Sequence, residues 1–171
     1  LDPMDNVIDY ATSPAKSERM DIFLCAACRF FVSTNSGLGT VPSNFGVPTI
    51  QTNMGFVSFY STLDQDLYIH NTLYRKNTRE FMTMREMLSP PFVNYGNAYF
   101  YDKHKIAAKR NTAEEITDVV VEMLQRLDGE ADYSDEDDAL LERYHKATSF
   151  EGRNSLGRPG RLFLRNNQHL F

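Results

Sequence analysis

The chain has no tryptophan and only two cysteines in 171 residues. Two cysteines build no disulfide framework, which suits a reducing compartment. No apolar run approaches the ~18 residues that a membrane-spanning helix needs. The opening Leu1-Asp2-Pro3-Met4-Asp5-Asn6 has neither a basic nor an apolar stretch, so it does not read as a signal peptide. It also lacks an initiator methionine, and the sequence is expected to start inside a longer protein. An excess of base is missing too, the formal net charge being −5. Six of the 23 acids lie together in Glu130, Asp132, Asp135, Glu136, Asp137 and Asp138, and the rest of the chain is close to neutral. No global field is available to steer nucleic acid, and none is expected as a partner. Walker A, H-E-x-x-H, G-x-G-x-x-G and Ser-His-Asp patterns are all absent. His70, His104, His145 and His169 lie far apart in sequence and read as ordinary surface residues.

What is present centres on residues 30–53. Phe30 to Val32 is an apolar, β-rich run that reads as a buried strand. A turn of small polar residues with Gly37 and Gly39 follows. A short helix is expected from about Thr40, with Pro42 tolerated in its first turn and Gly46 as its stop. Val47 to Thr52 reads as the next strand. Strand, glycine turn, helix, strand is the layout of an open parallel sheet, whose ligands bind at the carboxyl ends of strands. Amides there favour anions, phosphate above all. Gly37 and Gly39 would let backbone approach a ligand, while Ser33, Thr34, Ser36 and Thr40 offer hydroxyls. Taken alone, the same turn also fits a plain Asn-Ser-Gly connection.

Around this centre, Val7 to Tyr10 reads as a short strand. Ser13 or Ser17 caps a helix whose apolar face is Met20, Phe23, Leu24 and Ala27, completing a βαβ unit. Cys25-Ala26-Ala27-Cys28 lies at that helix's carboxyl end, the wrong pole for a reactive thiol, and reads as packing. Met54 to Tyr74 reads as a long loop or mixed segment with a possible short strand at Leu67-Tyr68-Ile69. Arg75 to Arg79 is a basic cluster, read as solvated surface in preference to a phosphate or acidic-sugar contact. Thr83 and Thr112 open capping boxes, the second leading a strong apolar stripe that Gly129 ends. Lys105 to Lys109 reads as a strand. Ser134 caps a helix with an acidic first turn, and the apolar tail, Leu156 with Leu162 to Leu164, reads as a docking helix. The division expected is residues 1–129 as a Rossmann-like domain and 130–171 as an acidic-start helix with a packing tail.

The run Cys28-Arg29-Phe30-Phe31-Val32-Ser33-Thr34-Asn35-Ser36-Gly37, continued by Val41-Pro42 and Phe45-Gly46-Val47-Pro48, resembles the nucleotide-sugar-binding half of GT-B glycosyltransferases. It is most similar to a bacterial family associated with surface polysaccharide synthesis, and more distantly to the lipopolysaccharide heptosyltransferases. Tyr10, Ser13-Pro14, Lys16-Ser17, Met20-Asp21, Met87 to Pro91, the 111–127 helix and the 161–171 tail extend the likeness over most of the chain. The resemblance implies an α/β fold, a Rossmann-like parallel sheet with flanking helices, as an incomplete C-terminal half of a GT-B fold. It implies that Ser33, Thr34, Asn35, Ser36, Gly37, Gly39 and Thr40, with Ser13 and Lys16, bind the donor's phosphates. The implied partners are a nucleotide sugar, a glycan or lipid-linked acceptor, and an N-terminal domain of the same protein. Neither a metal nor a cofactor is expected, and the setting is cytoplasmic or at the inner membrane face. Asn35 and Thr40 stand where heptosyltransferases carry Asp and His. Asn35 bonds a sugar or phosphate but cannot act as a general base, so the catalytic residues stay unassigned. A non-catalytic nucleotide- or sugar-binding module, or a purely structural α/β domain, are the competing readings.

Overall fold

The computed structural model describes residues 4–34, 36–55, 63–92, 98–149 and 155–171. Helix α1 (Glu18–Ala27) starts where the Ser17 side chain accepts from the Met20 amide, with Glu18 and Asp21 in its first turn. It leads into β1 (Phe31–Ser33). A 3-10 turn, Gly37–Thr40, runs directly into α2 (Val41–Asn44), so the helix expected from Thr40 begins three residues earlier in tighter form. Strand β2 (Thr49–Met54) pairs parallel with β1, Val32 opposite Ile50. Strand β3 (Leu67–His70) pairs parallel with β2. Strand β4 (Thr72–Arg75) then leaves this sheet, followed by α3 (Met84–Met87), α4 (Ala98–Lys103) and β5 (Ile106–Lys109). β4 and β5 form a separate antiparallel ribbon. Helices α5 (Ala113–Asp128) and α6 (Asp135–Thr148) precede β6 (Arg158–Pro159) and α7 (Arg161–Asn167). The main sheet is parallel throughout, in the order β1-β2-β3-β6. This is an α/β, Rossmann-like sheet with flanking helices.

Burial explains the pattern. All four residues of β3, Leu-Tyr-Ile-His, are buried, as in a parallel strand covered on both faces. Ile50, Leu67, Ile69, Val119 and Met123 pack in one core with Tyr144, Phe163 and Leu164. The capping boxes at Thr83, Thr112 and Ser134 are all formed, and Gly129 ends α5 at φ 74°. Gly160 is squeezed between β3 and α5: a Cβ there would lie 3.2 Å from both Ile69 and Val119 methyls. Among the described residues no helix is long and apolar enough to cross a membrane.

The acidic run and the arginine-rich tail turn out to be partners. Arg165 makes two hydrogen bonds to the buried Asp137 carboxylate, at 2.7 and 2.8 Å. Burial opposes ionisation of Asp137, but Arg165 and the Ser134 cap outweigh it and hold its pKa below the usual range. Arg158 lies 3.8 Å over the Tyr133 ring. The Arg161 amide donates to the buried Glu122 carboxylate at 2.6 Å.

Two expectations are corrected. Val7 to Tyr10 is no strand: Ile8 is 83% exposed, and a 3-10 turn spans Tyr10–Thr12. Tyr10 is instead tied to the start of α1, its hydroxyl donating to Asp21 at 2.6 Å, so Val7 to Tyr10 does not form the first strand of the expected βαβ unit. The segment Met54 to Tyr74 is mixed, with β2 reaching Met54, β3 covering the expected short strand at Leu67-Tyr68-Ile69, and β4 following it. Residues 56–62 lie outside the described residues. His70 is no surface residue: it ends the doubly covered β3, stacks on Tyr144 and is hydrogen-bonded to its hydroxyl. Burial pushes its pKa down to about 4.

Candidate functional site

A cleft of about 360 Å³ opens at the carboxyl ends of the parallel strands, lined by Thr34, Asn53, Asn71 and Arg110. Thr34 follows β1, Asn71 follows β3, and Arg110 follows β5. Asn53 sits near the end of β2, where the register slips. Gln51 opposes Tyr68 and Met54 opposes His70, so β2 carries one extra residue. That bulge places Asn53 at φ 51°, a left-handed conformation that asparagine tolerates better than most residues.

The bulge is clasped from the far side of the sequence. The Asn53 amide donates to Asn111 Oδ1 at 2.6 Å, and the Asn111 amide donates to Asn53 Oδ1 at 2.9 Å. Asn111 Nδ2 also donates to the His70 carbonyl at 2.8 Å, and Asn71 Nδ2 to the Asn53 carbonyl at 3.1 Å. Three asparagines thus bind together the ends of β2, β3 and the approach to α5. Arg110, next to Asn111, is held at the cleft by the same clasp. Asn71 Oδ1 is buried without a hydrogen-bond partner among the described residues. The described lining holds amides, one hydroxyl and one guanidinium, with no carboxylate, imidazole or thiol. It can neutralise an anion and bond hydroxyls, but it supplies no general base.

The glycine turn stands at one side of this cleft, and of its described residues only Thr34 lines it. Ser33 Oγ is buried with no partner among the described residues. Gly39 is buried because a Cβ there would lie 2.5 Å from Ser33 Oγ, so its smallness serves the packing of the turn on β1. Gly37, by contrast, has open space around it. Neither takes a positive φ. The Thr40 hydroxyl is spent inside the turn, donating to the Gly37 carbonyl at 2.8 Å. Ser36 is exposed at the head of the turn. Asn35 lies outside the described residues. Ser13 and Lys16 precede α1 and are not in the cleft lining; the Ser13 hydroxyl accepts from the Ala15 amide.

Sequence reading overlooked Asn53, Asn71, Arg110 and Asn111. A signal for them exists: asparagine stands at 35, 53, 71 and 111, within two residues of where β1, β2, β3 and β5 end. The cysteine pair behaves as packing. Cys25 is buried in α1, and burial, then Cys28 and Asp21, raise its thiol pKa; burial likewise raises that of Cys28. Among the described residues no three His, Cys, Asp or Glu side chains converge to hold a metal ion. Compared with known proteins, the chain matches no family model, no curated protein and no solved structure.

Proposed function

We propose that this chain is the donor-binding half of a GT-B-type glycosyltransferase, and that the asparagine-lined cleft receives a nucleotide sugar. The observation that carries the reading is a polar cleft with a single guanidinium at the carboxyl ends of three parallel strands. Ligands of open α/β sheets bind at such ends. Arg110 would pair with the diphosphate and stabilise it as leaving group, while Thr34, Asn71 and the exposed Gly37 turn contact sugar and phosphate. Acceptor and proton-accepting base would come from a second domain of the same protein, because a displacement of this kind needs both substrates held in line. The setting of the reaction is cytoplasmic, on a surface-glycan acceptor.

A non-catalytic nucleotide- or sugar-binding module is the second reading. The specific observation in its favour is that no proton-transferring side chain lines the described cleft. Titration of the chain with uridine, guanosine, adenosine and cytidine diphosphates, followed by NMR, tests what the two readings share. One of them is expected to bind near the millimolar level, about −4 kcal/mol, and to shift residues around Thr34, Asn53 and Arg110. Arg110→Ala should remove binding. Gly37→Val should do so without lowering the melting temperature, because its side chain enters open space. Absence of any shift refutes both. Glycosyl transfer by the full-length protein, and not by residues 1–171 alone, separates the enzyme from the module.

A further inference from the structure

The β4–β5 ribbon has two unlike faces. Leu73 and Ile106 are buried on one of them, with Met82 beside Leu73 through the Met82 amide to Leu73 carbonyl bond of 2.8 Å. Directly paired residues share a face, and Tyr74 pairs with Ala107 on one side and Phe81 on the other. Thr72 pairs with Lys109, and the Lys76 amide donates to the Lys105 carbonyl at 2.7 Å, carrying the ribbon one step further. At the centre of this second face the Tyr74 and Phe81 rings meet edge-on, 6.1 Å between centroids. The Arg79 guanidinium lies 5.5 Å over Tyr74 and the Lys109 ammonium 6.0 Å over Phe81. Phe81 is 43% exposed, and Lys76, Arg79, Lys105 and Lys109 are all exposed. Lys76 pairs with Asp102 at 2.6 Å. That bond and the Lys76 charge lower the Asp102 pKa, with Lys105 adding to the effect, so one acid stands among several bases.

The same segregation runs through the sequence. Residues 75–110 carry eight Lys and Arg against three Asp and Glu, while the rest of the chain carries ten against twenty. A net charge of −5 hides a positive ribbon on an acidic body.

We propose that this ribbon face docks the protein on an anionic membrane surface. Arg79 and Lys109 are held over aromatic rings before any contact, so less side-chain freedom is lost on docking. A two-stranded ribbon presents its cations side by side in one plane, as a sheet of headgroups requires. Phe81, half exposed at the centre of this face, supplies the aromatic character suited to a membrane–water interface. The acidic remainder is repelled by anionic lipid and turns the molecule ribbon-down. This inference does not depend on what the cleft binds.

Co-sedimentation of the chain with vesicles of phosphatidylcholine, alone or mixed with phosphatidylglycerol, tests it. Binding is expected only with phosphatidylglycerol present, and should weaken as salt rises. Each base near the surface contributes about fivefold, so the triple variant Arg79→Asn, Lys105→Asn, Lys109→Gln should bind roughly a hundredfold more weakly. Asparagine suits the positive φ of 64° and 53° at the first two positions. The double variant Arg19→Gln, Lys146→Gln, which removes bases elsewhere, should bind as the parent does. If the triple variant melts early, Lys76→Gln and Lys109→Gln tested singly replace it, each expected to weaken binding. Failure to bind phosphatidylglycerol vesicles, an equal loss in the control variant, or binding to soluble polyphosphate with none to vesicles overturns the proposal. Nucleoside diphosphate titration of the triple variant should match the parent, which keeps this failure distinct from failure of the donor site.

Discussion

Replacing Asn53 separates the two things its position demands, a left-handed backbone and a bond across the cleft. Asn53 sits at φ 51° and accepts the Asn111 amide at 2.9 Å. Asn53→Gly keeps the backbone at no steric cost but deletes that bond, a loss of about 1 kcal/mol for a neutral hydrogen bond. Asn53→Ala deletes the same bond and adds the left-handed penalty of an ordinary side chain, about 1–2 kcal/mol more. The alanine variant should therefore be destabilised by about 2–3 kcal/mol and the glycine variant by about 1. In a chain of this length each kcal/mol moves the melting temperature by about 2–4 °C. Urea melts followed by circular dichroism give both values. Because Arg110 neighbours the clasp, both variants should also weaken nucleoside diphosphate binding more than they lower stability. Equal destabilisation by glycine and alanine would refute the backbone argument, and no effect from either would show that the clasp holds nothing.

Gly39→Ala places a Cβ 2.5 Å from Ser33 Oγ; it should cost about 1–3 kcal/mol as overpacking, and Ser33→Ala in the same chain should recover part of this, read by thermal melting. His70 is buried neutral with its pKa lowered to about 4 from 6.5. The unfolded chain takes up that proton first as pH falls, so stability should decline between pH 6.5 and about 4, by an amount on the order of 3 kcal/mol. His70→Leu should flatten that part of the urea-midpoint profile, and an unchanged profile would place the acid sensitivity elsewhere. Cys25 and Cys28 should react slowly with iodoacetamide at neutral pH in the folded chain and quickly in urea, since burial raises both pKa values; rapid reaction of the folded protein would contradict the packing role.

Local signals in the sequence carried the helices well. Ser17, Thr83, Thr112 and Ser134 each cap where a Ser/Thr precedes the right pattern, and Gly129 stops α5. The short strand read at Leu67-Tyr68-Ile69 is β3, although burial on both faces leaves it no alternation to mark which face is inward. The same burial hid the environment of His70. The cleft was hidden for another reason. Its clasp joins Asn53 to Asn111 across 58 positions, a neighbourhood set by sheet topology and not by adjacent residues. Gly39 looked like a place for a ligand and is a place for Ser33. The basic cluster at Arg75 to Arg79 read as plain surface, since its companions Lys105 and Lys109 arrive only through the antiparallel pairing of β4 with β5.

The far edge of the main sheet is β6, whose two residues pair Arg158 with Leu67 and Pro159 with Tyr68. That arrangement sets an order of assembly on the ribosome. Until Pro159 has been synthesised and has cleared the exit tunnel, β3 stays an open edge with buried-type residues facing solvent. Arg161 and Arg165, which bind Glu122 and Asp137, follow directly after β6, so α5 and α6 remain unlatched until they too have emerged. Synthesis halted anywhere before position 158 would release a sheet that lacks its edge strand, a species prone to pair with other chains.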